Sequence, residues 1–294
     1  MKTMIKLIKK IKKLFLWLTL ERFPNLFRPT SKPFISGDTL RRGSNHIFDE
    51  SKSLNPKKIK NNDLIFLSSE LIEVFFKVFD KKIFAKYILI THNSDRNIDN
   101  EEFSFISDNV IHWFAQNLNI QENDRITLIP IGLENLRRFK FGRKKWFNTT
   151  KKNPKSEMII SSFSVENNFL ERENINSNFK KNILISTKKF DKPAEYFSNL
   201  KKYKFVICPV GNGLDTHRIW ESLLLECIPI MKRNNFTKNL EKKSIPGLYL
   251  DDWKDLNNFS ELELNSMYKT FLLEDVKKYC LYNFWKTQIL EKRI

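Results

Sequence analysis

Metal-binding and disulfide chemistry have little to draw on in this chain. Its three cysteines, Cys208, Cys227 and Cys280, show no CxxC spacing, which argues against a metal site or a disulfide framework. They fall in apolar surroundings and read as small buried hydrophobes in a reducing compartment. His46 and His112 carry no ligand-like spacing and default to structural roles. No internal repeat or low-complexity tract is visible, which sets aside solenoids and arrays. The N-terminal apolar run, Leu14 to Leu20, falls far short of the ~20 residues that span a bilayer, and no small-residue cleavage site follows it. Arginine is scarce as well, with 13 among 52 basic residues. Base readout favours arginine, so the formal net charge of +18 reads as lysine scattered over loops and helix faces, and no nucleic-acid partner is expected.

What the chain does have is core. Hydrophobic residues make up 41% of it, 26 of them phenylalanine, enough for one large or two ordinary domains in 294 residues. At the N-terminus, Ile5, Ile8, Ile11, Phe15 and Leu18 recur at helical spacing between lysines. Residues 1–20 therefore read either as a basic amphipathic helix in peripheral contact with an anionic membrane or as one packed on the domain.

Apolar strands alternate with helical segments along the rest. Strands are expected at 63–69, 87–91, 125–132, 158–164, 183–187, 203–210, 228–231 and 247–250. Helices are expected at 70–80, at 108–118 with Asp108 as cap, near 165–173, at 193–201, from Thr216 onward, and through 260–291. Strands apolar on both faces imply parallel sheets covered by helices. A lysine-rich segment, 143–157, interrupts the series and reads as a linker. The expected architecture is α/β with two doubly wound halves: an N-terminal half over 1–150, and a C-terminal half over 151–294 closed by helices.

The stretch FVICPVGNGLDTHRIWESLLLECIPIM, Phe205 to Met231, concentrates the chemistry. Ligands of open parallel sheets bind beyond the carboxyl ends of the strands, where this loop lies. Gly211 and Gly213 allow close backbone approach. Asp215 is placed to cap the following helix, whose free N–H groups favour a diphosphate. Arg218 and Glu221 share a helix face, one suited to phosphate oxygens and the other to ribose hydroxyls. An intrahelical ion pair after a plain glycine turn accounts for the spacing equally well.

This stretch resembles the C-terminal signature of exostosin-like glycosyltransferases: a strand, a Pro-x-Gly loop, an Asp-x-x-Arg-x-x-Glu helix start and a Cys-x-Pro strand. FISGDTLRRGSNHIFDE, YILITHNSDRNID and WFAQNLNIQENDRITLIPIGLEN are similar, more loosely, to the N-terminal half of bacterial relatives. The resemblance implies a GT-B architecture, two Rossmann-like halves facing a cleft with the donor in the C-terminal half, and transfer of a sugar, with inversion, from a nucleotide-diphosphate donor such as a UDP-sugar. It also implies a glycan or glycolipid acceptor of surface polysaccharide synthesis, action at the cytoplasmic face of the membrane, and no bound metal or other cofactor. Arg218 and Glu221 match the pattern as implied donor-binding residues, and Gly213 and Asp215 as the loop that shapes the phosphate site; Gly211 in the same loop and His217 inside the motif are further donor-side candidates by position. Glu226 stands where many relatives carry glycine, a departure that leaves open a degenerate transferase subunit. A non-catalytic nucleotide- or polyanion-binding module is the alternative from another class.

Inverting transfer needs a base for the acceptor hydroxyl. The loop THNSD after the strand at 87–90 offers Asp95 as base, with His92 to orient and Asn93 alongside; it reads equally as an Asx turn. In the polar loop from Ser36 to His46, Asp38 and Arg41 are acceptor-side candidates, against the reading of a surface turn.

Overall fold

The computed structural model describes residues 28–138, 140–148 and 154–294. The amphipathic helix expected over 1–20 and the boundary expected at 150/151 lie outside the described residues.

In the first half, helix α1 (Gly37–Gly43) starts at Ser36, whose hydroxyl accepts from the Thr39 N–H. Strands β1 (His46–Phe48), β2 (Asp63–Ser68), β3 (Tyr87–His92), β4 (Val110–Ala115) and β5 (Ile126–Leu128) then form one parallel sheet in sequence order, β1-β2-β3-β4-β5. All six residues of β3 are buried, as expected of a strand covered on both faces. The stretch expected to be helical at 70–80 is so, in α, 3-10 and π turns from Ser69 to Lys82.

One segment is corrected. Residues 108–118 hold β4 and no helix. Trp113 and Phe114, on opposite faces of β4, are both fully buried, so the strand shows no polar-apolar alternation and its apolar run imitates a helix face. Asp108 caps nothing here; its carbonyl accepts from Lys86 Nζ at 2.6 Å. The capped helix is α2 (Asn100–Ser104), closed by a reciprocal box between Asp99 and Glu102. The strand expected over 125–132 ends at Leu128, because Pro130 has no N–H to continue the ladder and Gly132 turns the chain with φ +64°.

The second half holds β6 (Glu157–Ser161), α3 (Phe169–Phe179), β7 (Ile185–Thr187), α4 (Pro193–Leu200), β8 (Tyr203–Ile207), α5 (His217–Leu224), β9 (Ile228–Lys232), α6 (Asn235–Lys242), β10 (Leu248–Leu250), α7 (Glu261–Phe271) and α8 (Tyr282–Leu290). Its parallel sheet runs β10-β9-β8-β6-β7, so the winding reverses between β6 and β8. Two parallel five-stranded sheets with helices give the α/β architecture expected; the second sheet is doubly wound, whereas the first, in sequence order throughout, is wound one way.

The halves are tied closely. Asn239, wholly buried, donates from Nδ2 to the Ile120 carbonyl at 2.8 Å and accepts on Oδ1 from the Glu122 N–H at 3.2 Å. The C-terminal segment crosses back to the first half: the Ile35 N–H donates to the Cys280 carbonyl and the Tyr282 N–H to that of Pro33. The three cysteines are free and buried. Among the described residues no helix is long and apolar enough to cross a membrane.

Candidate functional site

A cavity of about 600 Å³ opens at the carboxyl ends of β6 and β8, where the strand order reverses. In open parallel sheets such a switch point is where adjacent loops part and leave a crevice. Ser162 to Ser164 after β6 form one wall, and the loop from Gly211 to Thr216 with the start of α5 forms the other.

Helix α5 places Arg218 and Glu221 in this cavity. The hydrophobic spacing that sends Ile219, Leu223 and Leu224 into the core leaves these two on the remaining face. They form no ion pair with each other. Arg218 Nε is buried without a hydrogen-bond partner, and so are two other atoms of cavity-lining residues, Thr216 Oγ1 and Tyr196 Oη. Glu221 makes no hydrogen bond among the described residues, and burial pushes its carboxyl up to about 8 against the pull of Arg218. Buried polar groups left unpaired are costly to keep; here they sit around a space able to hold the missing partners.

Sequence reasoning passed over Arg172. It projects from α3, donates from Nε to the Val210 carbonyl at 3.0 Å and from Nη1 to that of Ser164, and lies over the Phe163 ring at 5.5 Å. Burial, with Arg218 nearby, lowers its pKa to about 10. Arg172, Arg218 and Lys189 give the cavity a cationic wall. No local motif announces Arg172, because only the tertiary fold brings α3 over the loop after β8.

Asp215 was expected to be the N-cap of α5. That position belongs to Thr216, whose side chain makes no capping bond. Asp215 is instead buried, accepting from the Ile131 N–H at 2.6 Å and Trp220 Nε1–H at 2.8 Å, while its own N–H donates to Asn117 Oδ1 at 2.8 Å. Burial still raises it to about 7. It lines the cavity and also latches the two halves together. Gly213 serves the same latch, since a Cβ there would lie 2.7 Å from Asn117 Nδ2. Gly211 lines the cavity against Arg172.

His217 lines both this cavity and a smaller one of about 160 Å³ on the side of the first half. Its Nδ1 lies 2.7 Å from the Gly132 carbonyl and so carries the proton, leaving the Nε2 lone pair free. Burial keeps the imidazole below its usual pKa. Asp95, which is exposed, also lines both cavities and accepts from Asn212 Nδ2 across the halves at 3.3 Å.

His92 does not share this freedom. Its Nδ1 accepts from the Asn93 N–H at 2.7 Å, and Nε2–H therefore donates to the Pro130 carbonyl at 3.1 Å. Burial depresses it to about 4. Both nitrogens being engaged, it orients the loop and has no proton-transfer capacity. Asn93 takes φ +63°, tolerable for asparagine, and lines the smaller cavity with His92.

Asp38 and Arg41 line neither cavity, which corrects the acceptor-side expectation. Both are buried: Asp38 pairs with Arg28 at 3.3 Å and Arg137 at 3.4 Å, and Arg41 donates from Nε to Asp49 at 2.6 Å. The polar loop is an internal ion network because α1 packs inward. His46 and His112 are structural, bonded to Asp63 and to Thr127 with the Asp124 carbonyl. Glu226 takes φ +55° just past α5, the left-handed position that glycine ordinarily fills. Its carboxylate pairs with Lys277 at 2.9 Å and lies outside both cavities. Among the described residues no group of three His, Cys, Asp or Glu stands ready to hold a metal ion.

No protein-family model matches the chain, and no curated protein matches it. Solved structures do resemble it. In the GtfA/B complex the matched chain is 12% identical, with a TM-score of 0.41 over 81% of this chain and 58% of that one. The pneumococcal O-GlcNAc transferase GtfA, solved with UDP and GlcNAc, gives 12% and 0.39 over 80% and 58%. The UDP-forming α,α-trehalose-phosphate synthase of Burkholderia vietnamiensis gives 8% and 0.45 over 81% and 71%. The chain thus spans under three-fifths of the length of the first two. At these values the likeness is one of overall arrangement and carries nothing about chemistry.

Proposed function

We propose that the chain is a nucleotide-sugar-dependent glycosyltransferase with its donor in the larger cavity. The observation that carries this reading is a pair of groups of opposite character with no hydrogen-bond partner among the described residues, the half-buried Arg218 guanidinium with its buried Nε and the buried Glu221 carboxyl, in a cavity at the switch point. A diphosphate satisfies Arg218, Arg172 and the N-terminus of α5 together. Ribose hydroxyls donate to Glu221. Oriented donors on the leaving diphosphate stabilise the charge that develops on it.

The acceptor enters from the smaller cavity, and the junction holds Asp95 and His217. In the inverting form of the reaction the acceptor oxygen bonds to the anomeric carbon as the bond from that carbon to the diphosphate oxygen breaks. The hydroxyl proton passes to Asp95 or to His217 Nε2, and the electron pair leaves with the diphosphate. Surface glycans or glycolipids are the proposed acceptors, and 1–150 and 151–294 the proposed acceptor and donor halves.

The test is calorimetric titration of the full chain with UDP-, GDP-, CMP- and dTDP-sugars, with and without EDTA, beside Arg218→Ala and Glu221→Ala. Saturable binding of one nucleotide class, lost in both folded variants, is the expected result. Equal affinity in the variants overturns the reading.

A further inference from the structure

The smaller cavity is rich in donors. Arg137 and Arg138 line it together with Asn93, Asn135 and Gln116. Arg138 is exposed and makes no ion pair among the described residues. Arg137 is close to Asp38 at 3.4 Å, but its Nε makes no hydrogen bond. Asp38 is shared with Arg28, so one carboxylate faces two guanidinium groups. Of the amides, Asn135 and Gln116 are held by internal bonds, whereas Asn93 Nδ2 has no partner among the described residues. Asp95 stands at the junction with the larger cavity as the acceptor of protons in this surround.

A neutral sugar needs donors and acceptors mixed around its hydroxyls. Two guanidinium groups and an amide N–H₂ in the lining, with Asp95, shared with the larger cavity, as its one carboxylate, fit a ligand that is anionic at one end and presents a hydroxyl at the other. We propose that the smaller cavity binds an oxyanion carried by the acceptor sugar, a phosphate or a carboxylate, through Arg137, Arg138 and Asn93. This rests on the transferase reading for the term acceptor. A volume of about 160 Å³ suits one charged sugar.

Calorimetry with glucose 6-phosphate, glucuronate and glucose, each with and without saturating UDP, tests this on the full wild-type chain and on Arg138→Gln. Arg138 is exposed and unpaired, so its replacement leaves the fold intact. The expected result is binding of a charged sugar at least tenfold tighter than glucose, undiminished by UDP and weakened tenfold or more in Arg138→Gln, with UDP affinity unchanged in the variant. Preference for the phosphate or for the uronate identifies which oxyanion is carried. Glucose binding as tightly as both charged sugars, displacement of the charged sugar by UDP, or indifference to Arg138→Gln overturns the inference while the donor reading stands. Failure of wild type to bind any nucleotide, with charged sugars still bound, overturns the transferase reading and with it the acceptor role.

Discussion

The two halves contain equal numbers of parallel strands and treat their charges in opposite ways. In the first, the strands follow sequence order and three buried carboxylates are answered on the spot, Asp49 by Arg41, Asp80 by the Tyr87 hydroxyl and Glu102 by Arg96, while Asp38, between Arg28 and Arg137, keeps one oxygen without a hydrogen bond. In the second, the strand order reverses, and beside the reversal the Arg218 guanidinium and the Glu221 carboxyl make no hydrogen bond or ion pair among the described residues. A uniformly wound sheet has no parted loops at its strand ends, whereas a reversal must have them. The contrast teaches that the crevice made by the reversal keeps Arg218 and Glu221 open, while in the first half the open groups, Arg137 Nε and Arg138, belong to the smaller cavity.

That contrast can be broken or sharpened by substitution. The largest effect is expected at the junction: Asp95→Asn and His217→Gln should between them identify the proton acceptor, the true base costing about 10²- to 10⁴-fold in turnover with nucleotide affinity intact. Release of the nucleoside diphosphate from the donor found by titration is the readout, and two full-speed variants would remove both residues from the chemistry. Next, Arg218→Ala should weaken nucleotide binding by about 2 kcal/mol or more, as loss of a charge-assisted hydrogen bond does, whereas Arg96→Ala in the first half should leave affinity unchanged.

The joint between the halves comes third. Asn239→Ala strips the Ile120 carbonyl and the Glu122 N–H of their partner and should cost about 1 to 3 kcal/mol, read as a lower midpoint in urea. The pH dependence follows from Glu221. Its folded pKa of about 8 lies above the ordinary 4.5, so the folded chain holds a proton that the unfolded chain releases, and stability falls as pH rises through that window. Asp215, raised to about 7, adds to the same slope. Glu221→Gln should therefore lose less thermal stability than wild type between pH 5 and 8; parallel curves would show that Glu221 is already ionised when empty. The smallest effect is expected at Glu226→Gly, which relieves a left-handed backbone and should stabilise by about 0.5 to 1 kcal/mol, net of the exposed pair with Lys277.

Much of the fold was legible because buried parallel strands advertise themselves as short apolar runs, as at 63–68, 87–92 and 203–207. The same property hid β4, whose two buried faces erase the alternation that separates strand from helix. At the site, the glycine loop and the spacing of Arg218 and Glu221 located the cavity wall. Asp215 was legible as part of the wall but not as the latch to Ile131 and Asn117, since both partners lie over 80 residues away. The loop containing Asp38 and Arg41 looked like a surface turn or a binding loop, and nothing local reveals that Arg28, Arg137 and Asp49 close around it.

By itself the sequence determined the α/β alternation, the parallel sheets and the helix face that bears Arg218 and Glu221, because hydrophobic periodicity and residue spacing are properties of neighbours along the chain. Only the tertiary structure decided which charges are satisfied. Whether Arg137 closes on Asp38 while Arg218 stays open, or whether Arg172 reaches the loop after β8, depends on elements distant in sequence, and the energy of a buried charge depends on what surrounds it in space.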